Sequence, residues 1–244
     1  MKTVCTIECR MTSSRLPGKV LLPVGGKPLL QILVERVKRA RYVDEIVIAT
    51  TLNSQDDALE TLARELEIGF YRGSEEDVLA RVLFAADKYD AETIVELTGD
   101  CPLVDPELID QCILTYRNNT VDYLSNGHIP GYPIGLDVQV FSRSALYQSH
   151  KEGLTPEDRE HVSWYMRRCP ELFKQLHLAP PPTLYWPDLR LTLDEEADYL
   201  FLKAVLSHFR GREVDVDSYE ILSFLRERED LLKINAMVKE KTID

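Results

Sequence analysis

The chain has 244 residues, 44% of them apolar, with 29 basic and 41 acidic side chains and a formal net charge of −12. That length suits one α/β domain with a sizeable core, and the acidic balance excludes a protein that grips nucleic acid through its phosphate backbone. Five cysteines, an odd number without C-x-x-C spacing, exclude a disulfide framework or zinc cluster and fit a reducing cytoplasm.

Residues 3–9 form a short, β-branched, largely apolar run that predicts a strand. The N-terminus is too poor in apolar residues for a signal peptide, and no segment approaches the roughly 18 apolar residues of a membrane span, so neither export nor a membrane partner is expected. Directly after the strand comes Arg10-Met-Thr-Ser-Ser-Arg-Leu-Pro-Gly-Lys19, with three cations, three hydroxyls and a tight turn in ten residues. Guanidinium forks, a lysine point charge and neutral hydroxyl donors are the groups that hold phosphate oxygens. Between positions 10 and 41 the chain carries eight Lys/Arg and one acid, which reads as positive charge gathered for a triphosphate. No Walker loop and no G-x-G-x-x-G is present, so an ATPase or dinucleotide enzyme is disfavoured.

Helical spacing of Leu29, Leu30, Ile32, Leu33, Val34 and Val37 predicts a helix over 28–41. Residues 45–51 read as a buried strand, followed by a helix to about 66 with Ser54 as N-cap and Asp57 at the capping-box position. A third strand at 68–71, a helix at 75–89, a fourth strand at 93–98 and a helix at 106–117 continue the alternation. Four such repeats predict a mainly parallel sheet with helices on both faces, a three-layer α/β/α sandwich. Beyond 121 the turn-rich stretch 126–135 breaks the repeat. A strand at 136–141, helices at 142–151 and 155–169, a strand at 189–193 and a helix at 195–209 follow, with surface helices after 218. The whole chain, 1–244, reads as one domain, with 126–187 as a candidate subdomain or dimer arm.

Ligands of open α/β sheets bind beyond the carboxyl ends of the strands. Topology alone therefore gathers Arg10, Thr50, Arg72 and Asp100 on one rim. Asp100, after Gly99 and before Cys101-Pro102, is placed to hold Mg²⁺, and Asp194 at the end of the 189–193 strand is the chosen second carboxylate, with a plain N-cap as its alternative. Asp137, Arg159 and His161 lack a serine or cysteine elbow, which rejects a hydrolytic triad. His161 is read as mid-helix, and Asp215 in Glu213-Val-Asp-Val-Asp217 as part of an acidic turn.

These motifs together resemble the cytidylyltransferases that activate acidic sugars, within them the branch of spore coat polysaccharide biosynthesis. The likeness rests on the 10–19 loop, Gly26-Lys-Pro-Leu29, Asp44-Glu-Ile-Val-Ile-Ala-Thr50, Arg72-Gly-Ser-Glu-Glu-Asp-Val-Leu-Ala-Arg81, Thr98-Gly-Asp-Cys-Pro-Leu-Val-Asp105, Gly135-Leu-Asp-Val138, Glu160-His-Val162 and Leu189-Arg-Leu-Thr-Leu-Asp194. It implies a Rossmann-like nucleotidyltransferase fold of the glycosyltransferase-A type, CTP and a small acidic acceptor as partners, Mg²⁺ as cofactor and a homodimer. By position, Arg15, Lys19 and Asp100 would serve catalysis, and Arg10, Ser13, Ser14, Thr50, Arg72, Asp77 and Arg81 the nucleotide. Asn126, Asp137 and His161 would meet the acceptor, and Asp100 and Asp194 the metal. The chain departs from the pattern at Glu8-Cys9, where the family carries glutamine or proline followed by alanine. Alternatives are a glycosyltransferase that consumes a nucleotide sugar, and a nucleotide-binding protein with a degenerate site.

Overall fold

A computed structural model describes residues 1–239. In chain order the elements are β1 (Thr3–Glu8), β2 (Pro23–Val24), β3 (Lys27–Pro28), α1 (Leu29–Val37), β4 (Glu45–Thr51), α2 (Asp57–Glu65), β5 (Gly69–Gly73), α3 (Val78–Lys88), β6 (Thr93–Thr98) and α4 (Pro106–Arg117). They continue with β7 (Tyr123–Ser125), β8 (Gln139–Ser142), α5 (Arg143–Glu152), α6 (Pro156–Glu160), α7 (Trp164–Arg168), β9 (Gln175–His177), α8 (Glu196–His208), α9 (Ser218–Arg226) and α10 (Glu229–Leu232). The main sheet has seven strands in the order β5-β4-β1-β6-β8-β7-β9, and only β8 runs against the others. The expected mainly parallel α/β/α sandwich of Rossmann-like type is the fold observed.

Strand periodicity assigns the faces. Cys5, Ile7, Ile46, Ile48, Val95 and Leu97 meet α1, α2 and α4 on one side, while Val4, Val47, Ala49 and Ile94 meet α3, α5 and α7 on the other. α1 has a second apolar stripe. Its Leu29 and Ile32 join Leu103, Leu136, Leu189, Leu191 and Leu193 in a third cluster, closed by Phe201, Leu202, Val205 and Leu206 of α8 and Ile221, Leu222 and Leu225 of α9.

The short strands β2, β3, β7 and β9 are not expected from the sequence, and three expected elements differ. Residues 189–193 are extended but form no strand of the sheet. Their backbone pairs with loops instead, Leu191 N–H donating to Ile134 C=O at 2.7 Å and Leu193 N–H to Asp100 C=O at 2.9 Å, while alternate leucines fill the third cluster. The helix expected over 155–169 is split into α6 and α7. His161 is therefore the extended C-cap of α6, not a mid-helix residue. Burial of Val162 in the core and the Ser163 hydroxyl's bond to Gln139 Oε1 draw the chain out of the helix there. Asp56, not Ser54, is the N-cap residue of α2, after a single 3₁₀ turn at Ser54–Asp56, and its carboxylate gives the helix no capping bond because Met11, Thr50 and Thr51 take it up.

Candidate active site

The ends of β1, β4, β5 and β6 lie side by side, with Glu8 opposite both Ala49 and Thr98, and Thr51 opposite Gly73. Beyond β1 the chain folds back as a loop closed by Gly18 N–H donating to Met11 C=O at 2.8 Å, with Gly18 at φ +72°, the left-handed region that glycine occupies without strain. The loop is tied down by Asp56, a fully buried carboxylate that accepts from Met11 N–H at 2.8 Å and from the Thr50 and Thr51 hydroxyls. At the end of β6, Gly99 brings the backbone close to β1. A Cβ there would stand 2.6 Å from Cys9 Cβ, closer than two carbons can approach, so only glycine lets Asp100 reach its place. Gly99→Ala should cost about 1–3 kcal/mol by overpacking, read as a lowered Tm; an unchanged melt contradicts the close approach.

Loop and strand ends enclose a cleft of about 490 Å³. It gathers Arg10, Ser13, Ser14, Arg15, Lys19, Arg81, Asp100, His161 and Asp194 from the sequence-selected residues. At its centre Lys19 Nζ donates to Asp100 Oδ2 at 2.7 Å and to Asp194 Oδ1 at 3.1 Å. Arg15 Nη2 reaches the same Asp194 oxygen at 2.7 Å, and Arg190 Nη2 holds the other at 2.9 Å. Burial weakens the Lys19 charge, yet Asp100 and Asp194 outweigh it and raise the ammonium above its ordinary range. For Asp194 burial works against ionisation, and Lys19, Arg15 and Arg190 overcome it, holding the carboxyl below the usual range.

The other selected residues lie outside the cleft lining. Thr50 bonds Asp56, and Arg72 braces the β4 end, donating to Thr51 C=O at 2.8 Å and Asn53 C=O at 2.7 Å and pairing with Asp57 at 2.6 Å. Asp77 caps α3 by accepting Ala80 N–H at 2.9 Å. Asn126 is buried and clamps the Leu136 and Val138 backbone, while Asp137 accepts Gly135 N–H. Most of the basic stretch counted over 10–41 also points elsewhere. Arg36 is buried against backbone carbonyls, Lys27 pairs with Glu35 at 2.6 Å, and Arg39 pairs with Asp215 at 2.9 Å, so the Asp215 turn neutralises a surface cation. Lys27 lies on β3, Arg36 within α1 and Arg39 just past its end, all outside the loop that carries Arg10, Arg15 and Lys19.

Sequence reasoning did not select Glu75, which accepts from Thr12, Arg10 and Asn53. Nor did it give a role to the cleft acids Glu8, Glu157 and Glu160. Burial pushes the Glu8 carboxyl up to about 7; Arg81 opposes this, and Asp100 and Glu160 add to it. An unfolded glutamate titrates near 4.3, so the native state keeps this proton longer and loses stability as pH rises from about 4.5 to about 7. Glu8→Gln removes that loss. The variant's Tm advantage over the parent should grow between about pH 5 and about pH 8, and a constant difference would contradict the buried-carboxyl reading.

The family model described as Cytidylyltransferase matches residues 4–241. The chain is 36% identical over 229 residues to the spore coat polysaccharide biosynthesis protein SpsF of Bacillus subtilis, covering 92% of this chain and 94% of that one. It is 25% identical over 266 residues to a 3-deoxy-manno-octulosonate cytidylyltransferase of Chloroherpeton thalassium, covering 99% of each. Its fold superposes with a TM-score of 0.86 on a cytidylyltransferase from Leptospira borgpetersenii, 30% identical, over 99% of this chain and all of that one.

Proposed function

The chain belongs to the cytidylyltransferase family, and from that premise we propose that its cleft transfers CMP from CTP to a small acidic sugar or related acid, releasing pyrophosphate, in surface polysaccharide or glycoconjugate synthesis. It is a CTP-dependent nucleotidyltransferase. The observation that carries the reading is Lys19, held between Asp100 and Asp194 beside Arg15.

In this reading an oxygen of the acceptor attacks the α-phosphorus in line while pyrophosphate departs, so the protein positions the reactants and neutralises charge. Arg10, Arg15 and Lys19 would grip the β- and γ-phosphates and stabilise the leaving pyrophosphate, with Ser13 and Ser14 as neutral donors. The donor set fits Mg²⁺. Asp100 and Asp194 already converge on one cation, and two carboxylates completed by phosphate oxygens are what this ion takes from a nucleotide enzyme. When bound there, Mg²⁺ would supply neutralisation of α-phosphate charge. His161 lines the same cleft on the side of α6, where an acceptor would lie, and Asn126 and Asp137 would shape that end through the 135–138 backbone.

The test combines purified protein, Mg²⁺, each of the four NTPs and a panel of sugar acids, read by pyrophosphate release and product mass. CTP-dependent pyrophosphate with a CMP-linked product is expected. Release of CMP or UDP from a nucleotide sugar without pyrophosphate would establish the glycosyltransferase instead.

A further inference from the structure

The rim that carries the cleft continues past β6. Strands β7 and β9 run parallel to β6, so the chain leaving Ser125 and His177 emerges on the same side of the sheet as Asp100. Three residues from three elements meet there. His128 follows β7, His177 ends β9 and Arg167 lies on α7. Arg167 Nε donates to His128 Nδ1 at 3.0 Å, and the two imidazole rings stand 4.6 Å apart between centroids.

Charge sets this group apart. Arg167 is half-buried, yet among the described residues it pairs with no carboxylate; it bonds His128, and the Trp164 ring lies 5.3 Å from its guanidinium carbon. In a chain of net charge −12, a half-buried guanidinium left without an acid is a cost that an anionic ligand removes. The histidines do not compete for that ligand by pairing with each other as charges. Burial, and then the Arg167 charge, lower both imidazole pKa values, which keeps the rings neutral at pH 7. Because His128 Nδ1 accepts from Arg167, its proton sits on Nε2, and His177 Nδ1 is buried without a partner. The groups left to a ligand are therefore donors, the two Nη of Arg167 and the His128 Nε2–H, a set that suits an oxyanion.

Place decides which oxyanion. In the order β6-β8-β7-β9, β7 and β9 stand two and three strand spacings from β6, about 10 and about 14 Å. The triphosphate grip lies the other way, on the loop after β1. The connection to the cleft runs through His161, whose ring is 6.5 Å from that of Trp164, the residue on which Arg167 rests. A ligand that starts at the Lys19–Asp100 centre and passes His161 reaches this cluster with its far end.

We propose that Arg167, with His128 and His177, is an anion subsite for the far end of the acceptor, so that the acceptor class of this cleft carries an oxyanion remote from its attacking oxygen. The inference rests on the nucleotidyl-transfer reading above and narrows its substrate.

The first arm of the experiment needs no turnover. Protein loaded with CTP and Mg²⁺, so that the loop cations are engaged, is titrated with sodium acetate and separately with inorganic phosphate while the imidazole ¹⁵N–¹H resonances of His128 and His177 are followed by NMR. Both should move together to saturation, Arg167→Met should weaken binding at least about tenfold, and Arg167→Lys should fall between; the tighter anion names carboxylate or phosphate as the acidic group. Resonances that stay still, or that move equally in a methionine variant melting with the parent, overturn the subsite. The second arm takes the sugar acid that releases most pyrophosphate in the panel above. The tighter anion should compete with that acid and not with CTP, and Arg167→Met should raise the KM of the acid about tenfold without moving that of CTP. Anion binding that does not compete with the acid overturns the assignment to the acceptor. A changed oligomeric state in Arg167→Met, with the KM of the acid unmoved, also overturns it and gives Arg167 to a contact between two copies. Failure of every acid to yield pyrophosphate defeats the nucleotidyl-transfer reading and the acceptor assignment together, while the titration alone still decides the anion site.

Discussion

Asp100→Asn is expected to lower kcat with saturating CTP and Mg²⁺ by about 10²- to 10³-fold, the usual loss when one charge-stabilising contact of a transition state is removed. Asparagine keeps the shape of the side chain and loses its charge. In the parent, Asp100 Oδ2 fixes Lys19 Nζ at 2.7 Å and shares that cation with Asp194. After the substitution Asp194 remains as the single carboxylate, still bound by Arg15 and Arg190, which compete for its oxygens. Both the aim of Lys19 at the phosphates and the two-carboxylate seat for the ion are then lost. Because Asp100 is only part-buried, the variant should melt close to the parent, which separates lost chemistry from lost folding. Parent-like turnover would remove Asp100 from the reaction.

Arg36→Met is expected to destabilise the fold by about 3–5 kcal/mol, the cost of breaking a buried charged network from one side, or a Tm drop on the order of 10 °C for a chain of this size. Arg36 is fully buried in α1, where its guanidinium donates to Val104 C=O at 2.9 Å, Val216 C=O at 2.8 Å, Glu213 C=O at 3.2 Å and Leu103 C=O at 3.3 Å. Burial lowers its pKa to about 10, with Asp105 opposing, so it remains a cation at neutral pH. The planar fork joins the loop after β6 to the turn before α9, and methionine would fill its volume while leaving those carbonyls without donors. Arg36→Lys should recover little, since one ammonium cannot span carbonyls from two segments. Thermal melts of the three proteins decide the point, and a methionine variant as stable as the parent would contradict the latch.

The strand–loop–helix order was legible because β-branched runs and helical spacings are local signals, and the rim followed from the rule for parallel sheets. Arg10, Arg15, Lys19 and Asp100 were legible for the same reason: each directly follows a strand or lies in a loop bounded by one. The count of eight cations over 10–41 misled, because sequence proximity does not say which way the fold turns Arg36 in α1 or Arg39 just beyond it. Asp56, Glu75 and Glu8 carried no spacing signal. Their roles depend on partners more than 40 residues away, such as Met11 for Asp56 and Thr12 for Glu75, or on the floor of a cavity that only packing defines. The leucines at 189, 191 and 193 alternate as a strand would, yet what they pair with is loop backbone, which alternation cannot reveal.

Equilibrium binding of CTP, measured by calorimetry on the parent and on the Arg15→Ala/Lys19→Ala double variant with Mg²⁺ present, tests most directly that this cleft holds the nucleotide. The parent should bind and the double variant should bind at least about a hundredfold more weakly, as expected for two lost charge-assisted phosphate contacts. Equal affinity in the two proteins would place the triphosphate elsewhere and contradict the account.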